Sequence, residues 1–227
     1  MSFNREDREA AYAGLVADRK SCRKCLGLEN PSRFCDGKFD SDHLGPWTLW
    51  QGNIQSKLLV VGQDWGDTAY FERNRGRDLA SNPTNKVLRD LLSIAGIRAE
   101  LPSATDSGAG EVFLTNAILC LKEGGLQAKV DPSWFVNCGD AFLRPTIELI
   151  NPRVVVTLGQ HAYKTICQVF RLPQLRFREA VDADPIELKP GCRLAPVYHC
   201  GVRILNTHRP LSKQQRDWVR VRRAMEE

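Results

Sequence analysis

Short apolar runs and amphipathic segments alternate along the chain, and together they predict a series of strands and helices. The apolar runs suit strands buried in a parallel sheet; they are LLVV at 58–61, EVFLTNAILC at 111–120, PRVVVTLG at 152–159 and GVRILNTHRP at 201–210. Apolar residues at three- and four-residue spacing indicate helices; these segments are 6–19, 81–97, 131–150, 160–170 and the C-terminal stretch from 211. Because strands and helices alternate, we predict an α/β fold of three layers, α/β/α, with a central four-stranded parallel sheet.

The segment between the first predicted helix and the first predicted strand has a different composition. Residues 21–50, SCRKCLGLENPSRFCDGKFDSDHLGPWTLW, are rich in Gly, Pro, Asp and Ser, which indicates irregular structure. The sequence contains no evident internal repeat or domain linker. We therefore expect a single domain over residues 1–227, with the N-terminal helix and this cysteine-containing segment, about residues 1–50, packed on it.

Composition limits the class of protein and its location. With 227 residues, 42% of them hydrophobic and 26% charged, the chain is expected to be globular with a substantial core. No apolar run is long enough to span a membrane, and the charged start MSFNREDREAAY does not resemble a signal peptide, so we expect a cytoplasmic protein. In a reducing compartment, eight cysteines favour metal, cofactor or core roles over disulfides.

The charge of the chain is moderately basic. A formal net charge of +5 permits a polyanionic partner without requiring one. The predicted C-terminal helix, LSKQQRDWVRVRRAME, is rich in arginine, which is compatible with contacts to phosphate groups. A solvated helix face, with Trp218 and Val219 packed inward, explains the same pattern equally well.

Polar side chains lie at the ends of three predicted strands. Gln63 and Asp64 follow the first strand, Asn116 lies in the second, and His208 follows the apolar part of the last. The carboxyl ends of parallel strands share one edge of a sheet, where ligands commonly bind. Taken singly, Asp64 could cap a helix, Asn116 could satisfy a buried backbone group, and His208 could be a surface residue. Their joint position nevertheless predicts a ligand site.

Four of the cysteines have a spacing that suggests a shared ligand. Cys22 and Cys25 form a C-x-x-C pair, and Cys120 and Cys138 lie farther along the chain. Four thiolates from two separated pairs can bind zinc or an iron–sulfur cluster. One C-x-x-C pair is weak evidence by itself, because thiols are also common in protein cores.

Several motifs together make the chain resemble a known family. They are CRKCLGL, VVGQDWG, FLTNAILCLK, the NC of WFVNCGDAF, INPRVVVTLGQHA and ILNTHRPLS, and they extend over residues 22–212. In these motifs the chain resembles the uracil-DNA glycosylase superfamily, and its cysteines resemble those of the iron–sulfur branch. The resemblance implies base-excision repair of uracil-containing DNA by a bacterial-type, monomeric enzyme at the nucleoid. It also implies a 4Fe–4S cluster on Cys22, Cys25, Cys120 and Cys138, with zinc as the alternative.

The resemblance assigns expected roles to individual residues. Asp64, in GQDWG, would stabilise the positive sugar, and His208 would donate a hydrogen bond to the departing base. Asn116 would recognise uracil, and Tyr70 or Phe71 would stack on it. The remaining candidates line the base pocket or contact DNA: Gly62, Gln63, Trp65 and Gly66 for the pocket, and Arg209, Leu211 and Ser212 for DNA.

Two motifs depart from the family pattern, and other functions remain open. Trp65 replaces a proline of the first motif, and the second motif allows Thr207 in place of His208, with His199 as a weaker candidate. One alternative function is a non-catalytic or covalently trapping binder of uracil-containing DNA. Another is a zinc-stabilised α/β protein that acts on small nucleotides.

Overall fold

The computed structural model describes residues 5–45, 53–79, 81–99, 111–125 and 128–227. The helices are α1 (Arg5–Ser21), α2 (Thr68–Arg73), α3 (Pro83–Ile94), α4 (Pro132–Cys138), α5 (Arg144–Ile150), α6 (Gln160–Val169), α7 (Phe177–Asp182), α8 (Val202–Thr207) and α9 (Leu211–Glu226). The strands are β1 (Leu28–Glu29), β2 (Leu58–Gly62), β3 (Val112–Asn116), β4 (Leu121–Lys122), β5 (Val154–Leu158), β6 (Ile186–Lys189) and β7 (Cys192–Val197). A short 3₁₀ turn spans Phe34–Gly37, and a π-helical turn, Gly139–Leu143, joins α4 to α5.

The main sheet has five strands in the order β3-β2-β5-β7-β6. The first four are parallel, and β6 pairs antiparallel with β7 at one edge. The predicted α/β class and the four parallel strands are therefore confirmed, while the fifth, antiparallel strand was not predicted. The central strand β2 is fully buried from Leu58 to Val61, which explains why its apolar run is continuous.

One predicted strand is wrong. Residues 202–207 form helix α8, and the fourth parallel strand is β7, which precedes it. No residue of α8 is buried, whereas Leu194, Ala195 and Val197 of β7 are. The sequence signal for β7 was weak because Pro196 disfavours a strand, and the apolar run in α8 was too short to distinguish a helix from a strand.

Alternate residues of each strand face two separate cores. Leu59 and Val61 pack on the side of α5 and α6, while Leu58 and Val60 pack on the side of α3 and α9. This alternation is the two-residue period of a strand, and it produces the predicted three layers. The five predicted helices are present, although a π-helical turn divides the one predicted over 131–150, and the short helices α2, α7 and α8 were not predicted. In the C-terminal helix Trp218 is buried as expected, whereas Val219 is exposed.

The N-terminal segment is joined to the rest of the molecule by a two-residue ladder. Strand β1 pairs antiparallel with β4, so that Leu28 lies opposite Lys122. Residues 46–50 of the predicted irregular segment lie outside the described residues. Among the helices that the structure describes, none has both the length and the apolar composition needed to cross a bilayer.

Candidate active site

A cleft lies at the carboxyl edge of the parallel strands. Seven of the predicted site residues line it: Gly62, Gln63, Asp64, Trp65, Gly66, Tyr70 and Asn116. Lys122 and His199 are among the lining residues that were not assigned this role. The structure therefore brings Asp64 and Asn116 together, as their positions after adjacent strands predicted.

Gly62 and Asn116 are opposite each other in the β2–β3 pair, and this register determines how the asparagine is presented. A Cβ atom added to Gly62 would lie only 2.3 Å from the Asn116 Oδ1 atom. Glycine at this position therefore lets the Asn116 amide lie directly over the backbone of β2. The Asn116 side chain is 3% exposed and forms no hydrogen bond with another described residue. Its amide can therefore pair with a ligand that enters the cleft.

Asp64 forms a buried ion pair with Lys122. The Lys122 Nζ donates to the Asp64 Oδ2 at 3.0 Å, and the Gln63 Nε2 donates to the same oxygen at 2.7 Å. The side chains of Lys122 and Asp64 are 5% and 9% exposed. Within the described part of the chain, no donor reaches Oδ1. The carboxylate is thus fixed through one oxygen, and the other remains able to interact with a ligand.

Lys122 reaches Asp64 because of the small β1–β4 ladder. The ladder positions β4 beside the first turn after β2, where the Lys122 N–H donates to the Gly66 carbonyl at 3.4 Å. Sequence reasoning missed Lys122 because a two-residue strand gives no periodic signal. The residue is nevertheless within the FLTNAILCLK motif, six positions after Asn116.

The histidine in the cleft is His199, and the predicted placement of His208 is wrong. His199 follows β7 and lines the cleft. His208 is exposed, as His199 is, but it follows helix α8, pairs with the Thr207 hydroxyl, and lines a different cleft. The reason is the helical structure of residues 202–207, which moves His208 away from the strand ends.

The surroundings of His199 favour a neutral ring with a defined tautomer. Loss of hydration lowers the pKa of His199, and the Asp64 charge opposes this only in part. The Gly201 N–H donates to the His199 Nδ1 at 3.0 Å, so Nδ1 must be an acceptor. The remaining ring nitrogen, Nε2, then carries the proton and is a hydrogen-bond donor.

Of the two residues predicted to stack on the base, only one lines the cleft. Phe71 is completely buried against Phe34 and Phe39, so it cannot stack on a ligand. Tyr70 lines the cleft and packs edge-to-face on Trp65, with ring centroids 6.2 Å apart. Tyr70 is therefore the aromatic residue of this pair that can contact a base.

Arg209 is a structural residue rather than an exposed DNA contact. Its guanidinium donates to both oxygens of Asp217, at 2.6 and 3.0 Å, and to Asp182 at 2.7 Å. These hydrogen bonds raise the pKa of Arg209. Leu211 and Ser212, by contrast, are exposed at the start of α9, as a DNA contact requires.

The four predicted cysteine ligands line one cavity of about 430 Å³, which is partly open to solvent. These are Cys22, Cys25, Cys120 and Cys138. Two of the sulfur atoms accept hydrogen bonds: the Leu119 N–H donates to Cys138 at 3.4 Å and the Asn137 amide to Cys25 at 3.7 Å. Burial raises the pKa of Cys120 to about 12 and also raises that of Cys138, with the neighbouring thiols adding to both effects. The described residues contain no group of three or more His, Cys, Asp or Glu close enough to bind a single metal ion.

Arg19 provides an independent indication that this cavity suits an acceptor-rich group. Its side chain is 1% exposed, lines the cavity, and is held by Asp40 at 2.6 Å. The Nε atom of Arg19 is buried and has no hydrogen-bond partner in the described structure. An unpaired buried donor costs about 1–3 kcal/mol. A negatively charged group with sulfur acceptors would remove that cost, so the residues present fit such a group.

Fold and cleft together define a class of protein: a parallel α/β protein with a polar ligand site at the carboxyl ends of its strands. The family model described as the uracil DNA glycosylase superfamily matches residues 49–222, which is more than half of the chain. The chain therefore belongs to the uracil DNA glycosylase superfamily, and the predicted family is confirmed.

Three curated proteins are similar to this chain in sequence. The chain is 26% identical over 162 residues to the type-4 uracil-DNA glycosylase of Archaeoglobus fulgidus, covering 70% of this chain and 64% of that protein. It is 26% identical over 149 residues to the type-4 enzyme of Thermotoga maritima, covering 66% of this chain and 67% of the other. The type-5 uracil-DNA glycosylase of Pyrobaculum aerophilum is 24% identical over 174 residues, with 72% of each protein covered. The chain thus spans slightly less than two thirds of the Archaeoglobus protein.

Proposed function

We propose that this protein is a DNA-repair glycosylase that hydrolyses the N-glycosidic bond of uracil in DNA. The observation that carries the proposal is the buried Asp64 carboxylate, fixed through one oxygen in a cleft that also contains Asn116 and His199. Membership of the superfamily supports it, as do the names of the three related proteins, all uracil-DNA glycosylases.

The position of Asp64 suits the chemistry of glycosidic cleavage. As the bond breaks, positive charge develops on the sugar and negative charge on the departing base. A carboxylate that is already oriented stabilises the sugar cation without having to reorganise. Lys122 and Gln63 provide that orientation, and the Asp64 Oδ1 atom is left to face the sugar or a water molecule. The positive charge of Lys122 also reduces the repulsion between Asp64 and the DNA phosphates.

Asn116 and His199 supply the two hydrogen-bonding groups that uracil requires. The Asn116 amide, with one donor and one acceptor group, matches the O4 atom and the N3–H group of the base. The Nε2–H of His199 is a donor for the O2 atom, where negative charge accumulates. The base must leave the helix to reach them, and Tyr70 is placed to stack on it in the cleft.

We infer further that Cys22, Cys25, Cys120 and Cys138 hold a 4Fe–4S cluster rather than zinc. Their common cavity, two hydrogen bonds to sulfur and the unpaired Arg19 Nε support this. Such a cluster would supply a structural cross-link between the N-terminal segment and the residues that follow Asn116.

Single-turnover cleavage of a uracil-containing oligonucleotide tests the proposed function. We expect the wild-type protein to release uracil, and Asp64→Asn to bind the same DNA with similar affinity but to react at least about 100-fold more slowly. Equal cleavage by the variant and the wild type would show that another group stabilises the sugar. No uracil release by the wild-type protein, on either single- or double-stranded substrate, would contradict the proposal itself.

A further inference from the structure

A second cleft lies beside the candidate active site, and the proposed reaction does not use it. We call it the basic cleft; its functional lining consists of Lys164, Arg176, Phe177, Arg178, Tyr198 and His208. It is a shallow, open cleft with an accessible volume of about 520 Å³. This size accommodates part of a polymer rather than a single ion.

The cations of the basic cleft form no close ion pair with the carboxylates around them. Lys164, Arg176 and Arg178 are exposed, and none of the three forms an ion pair with another described residue. The carboxylate of Asp182, on the same helix as Arg178, is already bound by Arg209, which lowers the pKa of Asp182. The Arg178 charge also contributes to lowering the pKa of Asp182, so Arg178 is partly compensated. Three exposed positive charges around one concave surface nevertheless attract an anion with several charges.

Aromatic rings form the floor of the basic cleft. The rings of Phe177 and Tyr198 pack at 60°, with centroids 4.9 Å apart, and Tyr163 supports Phe177 from below at 6.0 Å. The buried guanidinium of Arg209 lies 5.7 Å from the centroid of the Tyr198 ring. Both rings of the floor are half-buried and therefore have a fixed position as well as an accessible part. Nucleic-acid bases stack on such rings, while cations at the rim bind the phosphates.

The basic cleft and the candidate active site are adjacent along two strands of the sheet. Tyr198 immediately precedes His199, which lines the active-site cleft. Gln160, the first residue of α6, also lines the basic cleft and directly follows the turn after β5. The two clefts are therefore close enough for one polymer strand to contact both.

We propose that the basic cleft holds the damaged DNA strand on one side of the excised nucleotide. Lys164, Arg176 and Arg178 bind its phosphates, and a neighbouring base stacks on Phe177 or Tyr198. This assignment rests on the proposed glycosylase function, because it takes the occupant of the adjacent cleft to be DNA. It gives His208 a position beside the DNA strand instead of at the reacting base.

The test compares two triple variants that remove the same charge. In the first, Lys164, Arg176 and Arg178 are each changed to Gln. In the matched control, Lys57, Arg98 and Arg171 are changed to Gln; these cations are also exposed and lie before β2 or beyond the C-terminal ends of α3 and α6. Binding of a labelled single-stranded oligonucleotide without uracil is measured by fluorescence anisotropy over a range of salt concentrations.

We expect the first triple variant to bind the oligonucleotide at least about tenfold more weakly than the control variant. We also expect its slope of log K against log salt concentration to be less steep by about 2, because three phosphate contacts are lost. Equal affinity and equal slopes for the two variants would overturn the assignment. The proposed function is tested separately, with a uracil-containing oligonucleotide. Wild-type protein that binds DNA in the anisotropy assay but releases no uracil from that second substrate would contradict only the glycosylase activity. Uracil release by the wild type together with indistinguishable triple variants would contradict only the basic cleft.

Discussion

The two oxygens of the Asp64 carboxylate have different environments. Oδ2 accepts hydrogen bonds from Lys122 and Gln63, while no donor in the described structure reaches Oδ1. A carboxylate held in this way keeps its orientation as a reaction proceeds, and the oxygen that lacks a partner can respond to new charge. Lys122 and Gln63 therefore contribute to the proposed reaction by orienting Asp64.

Removal of Lys122 should reveal how strongly its ion pair with Asp64 stabilises the protein. Lys122→Met leaves the Asp64 charge buried without its cation, and we expect the free energy of unfolding to fall by about 1–3 kcal/mol. The double variant Asp64→Asn/Lys122→Met should lose less than the sum of the two single changes, because the pair is then removed together. Urea denaturation of the four proteins in this cycle measures the coupling. Additive losses would mean that the ion pair contributes nothing to stability.

The two histidines offer a sharper test at the residue scale. His199→Ala removes a donor in the cleft, and we expect single-turnover excision to slow by about 10²–10³-fold. His208→Ala changes a residue outside this cleft, in the lining of the basic cleft. With enzyme at saturating concentration, so that weaker DNA binding does not limit the rate, we expect this variant to react within a few-fold of wild type. A severe loss in His208→Ala with normal activity in His199→Ala would reverse the assignment of the two residues.

At the scale of strands and helices, the sequence predicted those parts whose signal is local. Asp64 and Asn116 could be found because they directly follow or end apolar strands that are buried on both faces. His199 was only the weaker candidate from the sequence, because its strand β7 contains Arg193 and Pro196 and does not have a continuous apolar pattern. Lys122 depends on a two-residue ladder between segments that are distant in sequence, which no local pattern encodes.

The pairing of Gly62 with Asn116 in the β2–β3 register leads to a testable prediction. Gly62→Ala places a methyl group against the Asn116 Oδ1 atom, so we expect displacement of the amide, a loss of stability of about 1–3 kcal/mol and reduced affinity for uracil-containing DNA. Gly14→Ala is the control, because a Cβ atom at this helical position meets no atom within 4 Å. It should be neutral or slightly stabilising. Thermal melts and anisotropy titrations of both variants make the comparison, and wild-type behaviour of Gly62→Ala would show that the strands adjust to the methyl group.

At the scale of the whole molecule, one stretch of chain connects the cysteine cavity to the active-site cleft. Between Asn116 and Lys122, both of which line the cleft, lies Cys120, which lines the cavity. The pairing of β4 with β1 brings the Cys22–Cys25 segment to the same region. A group bound by all four cysteines would therefore restrain this stretch at Cys120, between Asn116 and Lys122.

Cysteine substitution tests this connection with measurements that do not depend on activity. We expect Cys138→Ser to lose visible absorbance and most of its iron and acid-labile sulfide, and to melt at a lower temperature than wild type. Cys167→Ser is the control, because Cys167 is also buried but lies in the main core, away from the cavity. Retention of iron by Cys138→Ser, or wild-type protein that contains zinc and no iron, would contradict the proposed cluster.

The most direct test of the proposed function is to identify the products of one turnover. Wild-type protein in excess is mixed with a single-stranded oligonucleotide that contains one uracil, and the products are analysed by mass spectrometry. We expect free uracil and a DNA strand whose mass corresponds to an abasic site, with the protein mass unchanged. An intact uracil-containing strand would contradict hydrolysis, and a stable covalent adduct of protein and DNA would show that the cleft traps its substrate instead of releasing it.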